Sequence, residues 1–223
     1  MKRAPGPGWP ADEVEAAGRS ALGRPLERTE HEALRRYAEI LLTWNRVHRM
    51  VGPSTLAGIA SDLIVDSLLF RPLLPSGTIR VLDLGAGAGL PGIPLLITTP
   101  EMTVVLLEAR RKRVSFLLTA IRELGLARAD VVHDRAERAL ATRAGLAAAF
   151  DVVLARCVAR PEVLGGLAYP FIRPGGMLVL SAAPATRPAA TSDLGFTAAE
   201  VRHVDVRPLG IHRRFLVGRK GPD

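Results

Sequence analysis

The stretch VLDLGAGAGLPG, residues 81–92, decides how this chain reads. A short apolar run closes on an acid, Asp83, and glycines follow at 85, 87, 89 and 92. The pattern predicts a strand that empties into a tight turn and opens a helix. Glycine takes positive φ freely and lets backbone approach a ligand closely. In an open α/β sheet, ligands sit beyond the carboxyl ends of the strands, so this turn faces one. Three classes compete: a dinucleotide pyrophosphate, a mononucleotide phosphate and a sulfonium cofactor. No Gly-Lys-Ser/Thr follows, which excludes a Walker A loop. Gly87, Gly89 and Gly92 do spell G-x-G-x-x-G, a weak dinucleotide signal by itself.

Working outward, short apolar runs alternate with helical stretches from Ile79 onward. Strands are expected at 79–84, 102–108, 129–133, 150–156 and 177–182, with a closing antiparallel hairpin made by AAEVRHVDV and HRRFLVGRK. Helices are expected at 92–98, 110–125, 135–149 and 161–172, with Gly125 as a natural C-terminal stop. RPGG, 173–176, reads as a turn and 184–195 as a loop. Strands apolar along their whole length are covered on both faces, as in a parallel sheet. Alternating β and α then gives a doubly wound α/β fold.

Residues 11–75 read as helices, with a capping box at Thr29 and Glu32 and another cap at Ser54. PSGT, 75–78, is a turn and a boundary. Two parts are therefore expected: a helical extension over 1–75 and an α/β domain over 76–223. Residues 1–10 and 221–223 read as loose tails.

The net charge is +8, which favours an acidic partner such as nucleic acid. One cysteine, Cys157, excludes an internal disulfide, fits a reducing cytosol and reads as a small buried thiol. The five histidines show no metal-ligand spacing, so no metal site is expected. No run of about 18 apolar residues free of charge and proline is present, so no membrane span is expected either.

Several features favour S-adenosylmethionine over NAD. Gly85, Gly87 and Gly89 make the denser G-x-G-x-G form. Asp83 stands where it reaches the cofactor's charged amino-acid end or fixes the loop. Glu108 ends the second strand, placed to accept both ribose hydroxyls, although that acid serves NAD equally. Asp134 and Glu137 open a helix where an adenine would rest. RPGG and the hairpin finish the layout of six parallel strands and one antiparallel strand, that of a class I S-adenosylmethionine-dependent methyltransferase with a Rossmann-like, mostly parallel seven-stranded sheet.

The motifs also carry a resemblance. LDLGAGAGLPGIPL matches D-x-G-x-G-x-G-x-P-G-I/L-P-L, EARRKRVSFL matches D-x-x-x-K-R-x-x-F-L, and RAE, ARCVARPEVL, YPFIRPGG, WNRVH and VDSL follow in place. From about Leu34 to Lys220 the sequence resembles the bacterial small-subunit rRNA guanine-N7 methyltransferases, the glucose-inhibited division protein B family. The resemblance implies cofactor contacts at Gly85, Leu90, Ala136, Glu137 and Arg156. It implies 16S rRNA or the small ribosomal subunit as partner, a cytoplasmic location and a monomer. It departs from the family at Asp62-Leu63 (Arg-His there), Arg49-Met50-Val51 (Asn-Leu-Thr), Ala182 (Lys) and Phe215 (often His). Those changes leave two further readings: a methyltransferase acting on another RNA or a small molecule, or a cofactor-binding protein that has lost catalysis.

Guanine N7 has a lone pair and no proton, so its methylation needs alignment without a general base. Arg156, at the end of the fourth strand, is the candidate catalytic residue, positioning cofactor or guanine. Arg110, Arg111, Lys112 and Arg113 open a helix against its dipole, a local cost that phosphate contacts explain. With Arg214 they are the candidate RNA-binding residues, and Arg213, Arg219 and Lys220 add charge to the hairpin. Aromatics are few, which argues for structured RNA read through backbone and shape.

Overall fold

The computed structural model describes residues 8–156, 161–181 and 195–222. Helices α1 (Ala11–Leu22) and α2 (Arg28–His48) are followed by α3 (Leu56–Ile59), a π-helical turn at Ala60–Ile64 and α4 (Val65–Leu68). Then come β1 (Ile79–Leu84), α5 (Gly92–Thr98), β2 (Met102–Glu108), α6 (Arg111–Leu124), β3 (Ala129–His133), α7 (Ala136–Thr142), β4 (Phe150–Ala155), α8 (Pro161–Ala168), β5 (Ile172–Ser181), β6 (Phe196–Val206) and β7 (Ile211–Lys220). The seven-stranded sheet has the order β3-β2-β1-β4-β5-β7-β6, parallel throughout except at β7.

The uniform apolarity of the strands has the expected cause. Val81, Val104, Leu106, Val152, Leu154 and Val179 face a core shared with α1 to α6. Leu82, Val105, Leu107, Val153, Leu178 and Leu180 face a second core under α7 and α8. Successive side chains alternate between faces, and both faces are covered. The first core joins residues from both sides of the turn at 75–78.

Several local expectations are corrected. The cap of α2 is Glu27, boxed with Glu30, and not Thr29 with Glu32. Glu30 wins because Arg24 holds it through two bonds of 2.8 and 2.7 Å, and paired forks of this kind are strong. Thr55, not Ser54, caps α3, accepting from Gly58 N at 3.0 Å. The helix expected to reach residue 149 stops at Thr142. There Ala148 turns to φ +48, and the N–H groups of Ala148 and Ala149 donate to Pro170 and Phe171 oxygens. RPGG lies inside β5, where the register with β4 shifts. The ends are tied as well: Trp9 packs on the core, and Gly221 O accepts from Gly175 N. Cys157, Ala182 and nearly all of the 184–195 loop lie outside the described residues. Among the described residues no helix is long and apolar enough to cross a membrane.

Candidate functional site

The chain runs outward from β1 to β2 and β3, then returns to pair β4 on the other side of β1. That reversal opens a crevice at the carboxyl ends of the strands. A cleft of about 1120 Å³ opens there.

The glycine turn forms its floor and is held from four directions. Gly85 and Ala86 donate to Leu107 O at 2.9 and 3.0 Å, tying the turn to β2. Gly87 N donates to Glu108 Oε2 at 2.9 Å. Gly92 N donates to Asp83 Oδ2 at 2.8 Å, and the Tyr37 hydroxyl donates to Ala88 O at 2.5 Å. Gly85, Gly87 and Gly89 all have positive φ, +72°, +60° and +80°. Gly92 is required for a different reason. A Cβ there would lie 2.7 Å from both Asp83 Oδ2 and Leu106 Cδ2.

Glu108 is buried and also accepts from Arg110 N at 2.7 Å, with Arg113 Nη1 3.7 Å from Oε2. Each carboxylate oxygen has a second lone pair for a hydroxyl. Asp134 is held more loosely, accepting from Arg135 N at 2.9 Å.

The cleft lining brings together Gly85, Gly87, Leu90, Glu108, Asp134, Ala136, Glu137 and Arg156, with Arg110 and Arg113 at one side. Asp83 and Gly89 are not in it. Asp83 is 1% exposed and lies behind the turn, where its visible task is to lock Gly92. Arg111 and Lys112 stand on the first turn of α6, outside the lining. Arg214 is half-buried at the carboxyl end of the sheet, one residue before the Phe215 that pairs with Ser181. Of the other hairpin cations, Arg213 is bound to Asp66 at 2.8 Å, and Lys220 donates to Tyr169 and Ile172 oxygens.

Burial pushes the Asp83 carboxyl up to about 7, with Glu108 adding to the rise, against the Gly92 N–H and the Arg156 charge. Its ordinary value is 3.8. Between the two, the folded chain keeps a proton that the unfolded chain has released, so this group's contribution to stability falls as pH rises from about 4 through about 7. Asp83→Asn removes the titration. In urea unfolding, stability of the wild type relative to Asp83→Asn is expected to be lower at pH 8 than at pH 5. A constant difference would contradict the raised value.

With this geometry in view, comparison with known proteins is decisive. A family model described as rRNA small subunit methyltransferase G matches residues 30–214. The chain belongs to that family. Among small subunit methyltransferase G relatives, one from Streptococcus pneumoniae (strain ATCC BAA-255 / R6) is 35% identical over 157 residues, 70% of this chain and 66% of that protein, just under two thirds of its length. Another, from Xanthomonas euvesicatoria pv. vesicatoria, is 33% identical over 213 residues, 95% of this chain and 97% of that protein. Among solved structures, M. jannaschii TYW2 in complex with AdoMet superposes with a TM-score of 0.50 at 18% identity, covering 66% of this chain and 69% of that one. At that identity the likeness concerns the fold alone, which is that of a class I S-adenosylmethionine-dependent methyltransferase preceded by helices.

Two contributors have roles that the sequence does not show. Tyr37 reads there only as one member of a helical apolar stripe, yet it is fully buried and its hydroxyl holds Ala88. Burial also pushes its phenol far up, which keeps it a donor. Gly92 is visible in the motif, but its closeness to Asp83 is not. Of the positions where the motif resemblance breaks, Met50, Val51 and Leu63 line the cleft and make that wall apolar, whereas Arg49, Asp62 and Phe215 are not in the lining. Leu63 sits in the π-helical turn, whose wider winding re-aims side chains.

Proposed function

We propose that this chain methylates guanine N7 of 16S ribosomal RNA, using S-adenosylmethionine. The observation carrying the reading is the cleft itself, where the glycine turn, Glu108 and Arg156 meet in a member of the methyltransferase G family. The residues suit that cofactor. Gly85 and Gly87 would bring side-chain-free backbone to the methionine portion, Glu108 would accept from ribose hydroxyls, and Ala136, Glu137 and Asp134 would border the adenine. The bound cofactor supplies an electrophilic methyl group on a cationic sulfur. The protein would hold guanine with N7 aimed at that methyl group, whose transfer would leave a neutral thioether, and alignment of this kind can supply a large part of the acceleration. No side chain has to take a proton. Arg156 orients the base or the cofactor carboxylate at the end of β4.

In this reading residues 76–223 carry the chemistry and residues 1–75 brace it, with Tyr37 as the brace on the turn. The partner is the small ribosomal subunit, the compartment the cytoplasm and the working unit a monomer. Purified protein, labelled cofactor and small subunits from a strain lacking the modification are expected to yield N7-methylguanosine on nucleoside digestion. Label in another nucleoside would reassign the substrate. No label, with cofactor binding intact, would favour an inactive binder.

Arg110, Arg111, Lys112, Arg113 and Arg214 serve as RNA contacts in this proposal. Because Arg111 and Lys112 stand outside the cleft, reversing both to Glu is expected to weaken RNA binding while leaving cofactor affinity unchanged. The slope of log affinity against log salt should flatten by about 2, since each phosphate that goes unneutralised reduces it by about 1. An unchanged slope would assign these charges to solubility.

A further inference from the structure

We infer that a groove at the amino end of the sheet, remote from the cleft, is an anchoring site for a phosphate, and that the phosphate is one in the backbone of the substrate RNA. This identity rests on the proposal that the substrate is RNA. The groove has a volume of about 290 Å³ and lies between Pro72–Pro75 and the face of β5 and β7. Its origin is in the layering. The helical layer covers Phe215, on which Phe70 packs edge-on at 4.7 Å, and then leaves the sheet at residues 71–75. Beyond that point Met177 and Val217 form an apolar floor.

Three arginines rim this floor. The register sets Arg219 opposite Met177 and Arg202 opposite Phe215, so both stand on the floor's face of the sheet. Arg173 joins from β5. The lining holds one carboxylate, Asp151, against the three guanidinium groups. Asp151 is already committed. Its Oδ1 accepts from Arg173 Nε at 2.7 Å and its Oδ2 from Arg80 N at 2.7 Å. That pairing braces Arg173 as much as it neutralises it. Arg202 is paired with Glu200 at 2.7 Å. Among the described residues no carboxylate pairs with Arg219, which is exposed. Guanidinium groups gathered on an apolar floor with a deficit of carboxylates suit an oxyanion with several acceptor oxygens, and planar forks bind phosphate in this way.

The groove and the cleft lie at opposite ends of β4: Asp151 is in the groove, and Arg156 follows the strand's other end. At about 3.3 Å per residue Asp151 and Arg156 stand roughly 17 Å apart along the strand. Two contacts so separated fix the orientation of a structured RNA without reading its sequence.

The test is RNA binding, measured apart from methylation, with Arg219→Glu and Arg219→Gln. Small-subunit rRNA affinity is expected to fall about tenfold for Glu, equivalent to about 1.4 kcal/mol, and less for Gln. The salt slope should flatten by about 1. Cofactor affinity and melting temperature are expected to stay at wild-type values. Unchanged RNA affinity and salt slope in both variants would overturn the inference. In a second arm, inorganic phosphate is titrated by ³¹P NMR. Phosphate binding that disappears in Arg219→Glu while RNA affinity stays unchanged would make this a free-phosphate site and overturn the RNA assignment. If wild type binds RNA through Arg219 but transfers no methyl group, the anchoring site stands and the proposed reaction fails.

Discussion

Gly89→Val is expected to abolish cofactor binding and to cost about 2–5 kcal/mol of stability, from strain at positive φ together with overpacking. Gly89 has φ +80°, where an L residue loses about 1–2 kcal/mol. A Cβ there would also lie 2.4 Å from Ile93 Cδ1 and 3.1 Å from Leu117 Cδ2, both buried. Overpacking of that kind costs about 1–3 kcal/mol more. Ile93 is fully buried and its N–H is bound to Gly89 O at 2.8 Å, so its side chain has little room to retreat. The turn would shift instead, taking Gly85 and Gly87 with it. At Gly87 the comparison is instructive. Its φ is +60°, but the nearest atom a Cβ would meet is Arg113 Nη1 at 3.6 Å, the end of a flexible side chain. Gly87→Val is therefore expected to lose cofactor affinity with a smaller loss of stability. Calorimetry with S-adenosylmethionine and thermal melting separate the two. A Gly89→Val protein that melts with the wild type and binds cofactor would overturn this account of the turn.

Arg156→Ala is expected to lower turnover about 10²–10³-fold, the size seen when one preorganised donor is removed from a reaction site. Arg156 stands in the cleft lining, half-buried, and its charge is felt by both Asp83 and Tyr37 behind the turn. Its loss should push the Asp83 carboxyl above about 7, because Arg156 is one of the two influences holding it down. The variant should therefore show a steeper loss of stability between pH 5 and pH 8 than the wild type, while unfolding only slightly earlier at pH 5. Single-turnover kinetics with small subunits measures the first effect and urea unfolding across pH the second. Arg156→Lys, which keeps the charge without the fork, should recover the pH behaviour more fully than the turnover. Wild-type turnover in Arg156→Ala would remove this residue from the reaction.

Much of the molecule is legible directly in the chain, because the relevant signals are local. Strands such as VLDL and TVVLLE are apolar on both faces, which only a doubly covered sheet tolerates, and the sheet is built that way. Gly125 stops α6 with φ +62°, as a C-terminal glycine should. Gly85, Gly87 and Glu108 meet because the end of a strand and the turn after its neighbour are adjacent in any parallel sheet. Local signals fail where two of them compete. Thr29-x-x-Glu32 and Glu27-x-x-Glu30 are both capping patterns, and a contact from Arg24 chooses between them.

The sequence by itself determined the class of fold, the glycine turn that lines the cleft and the acid that meets it, since each depends on residues near one another in the chain or on strand order. Tertiary structure alone decided which polar groups are available and which are already committed. Tyr37 reaches Ala88 across 51 residues, and Asp83 turns inward to Gly92. Arg213 is bound to Asp66 across 147 residues and Lys220 to two carbonyl oxygens, while Arg219 stands on the rim of a groove. The physical reason is that a hydrogen bond or ion pair depends on ångström-scale separation and angle. Those are set by how the helical layer seats on the sheet, which no periodicity in the chain encodes.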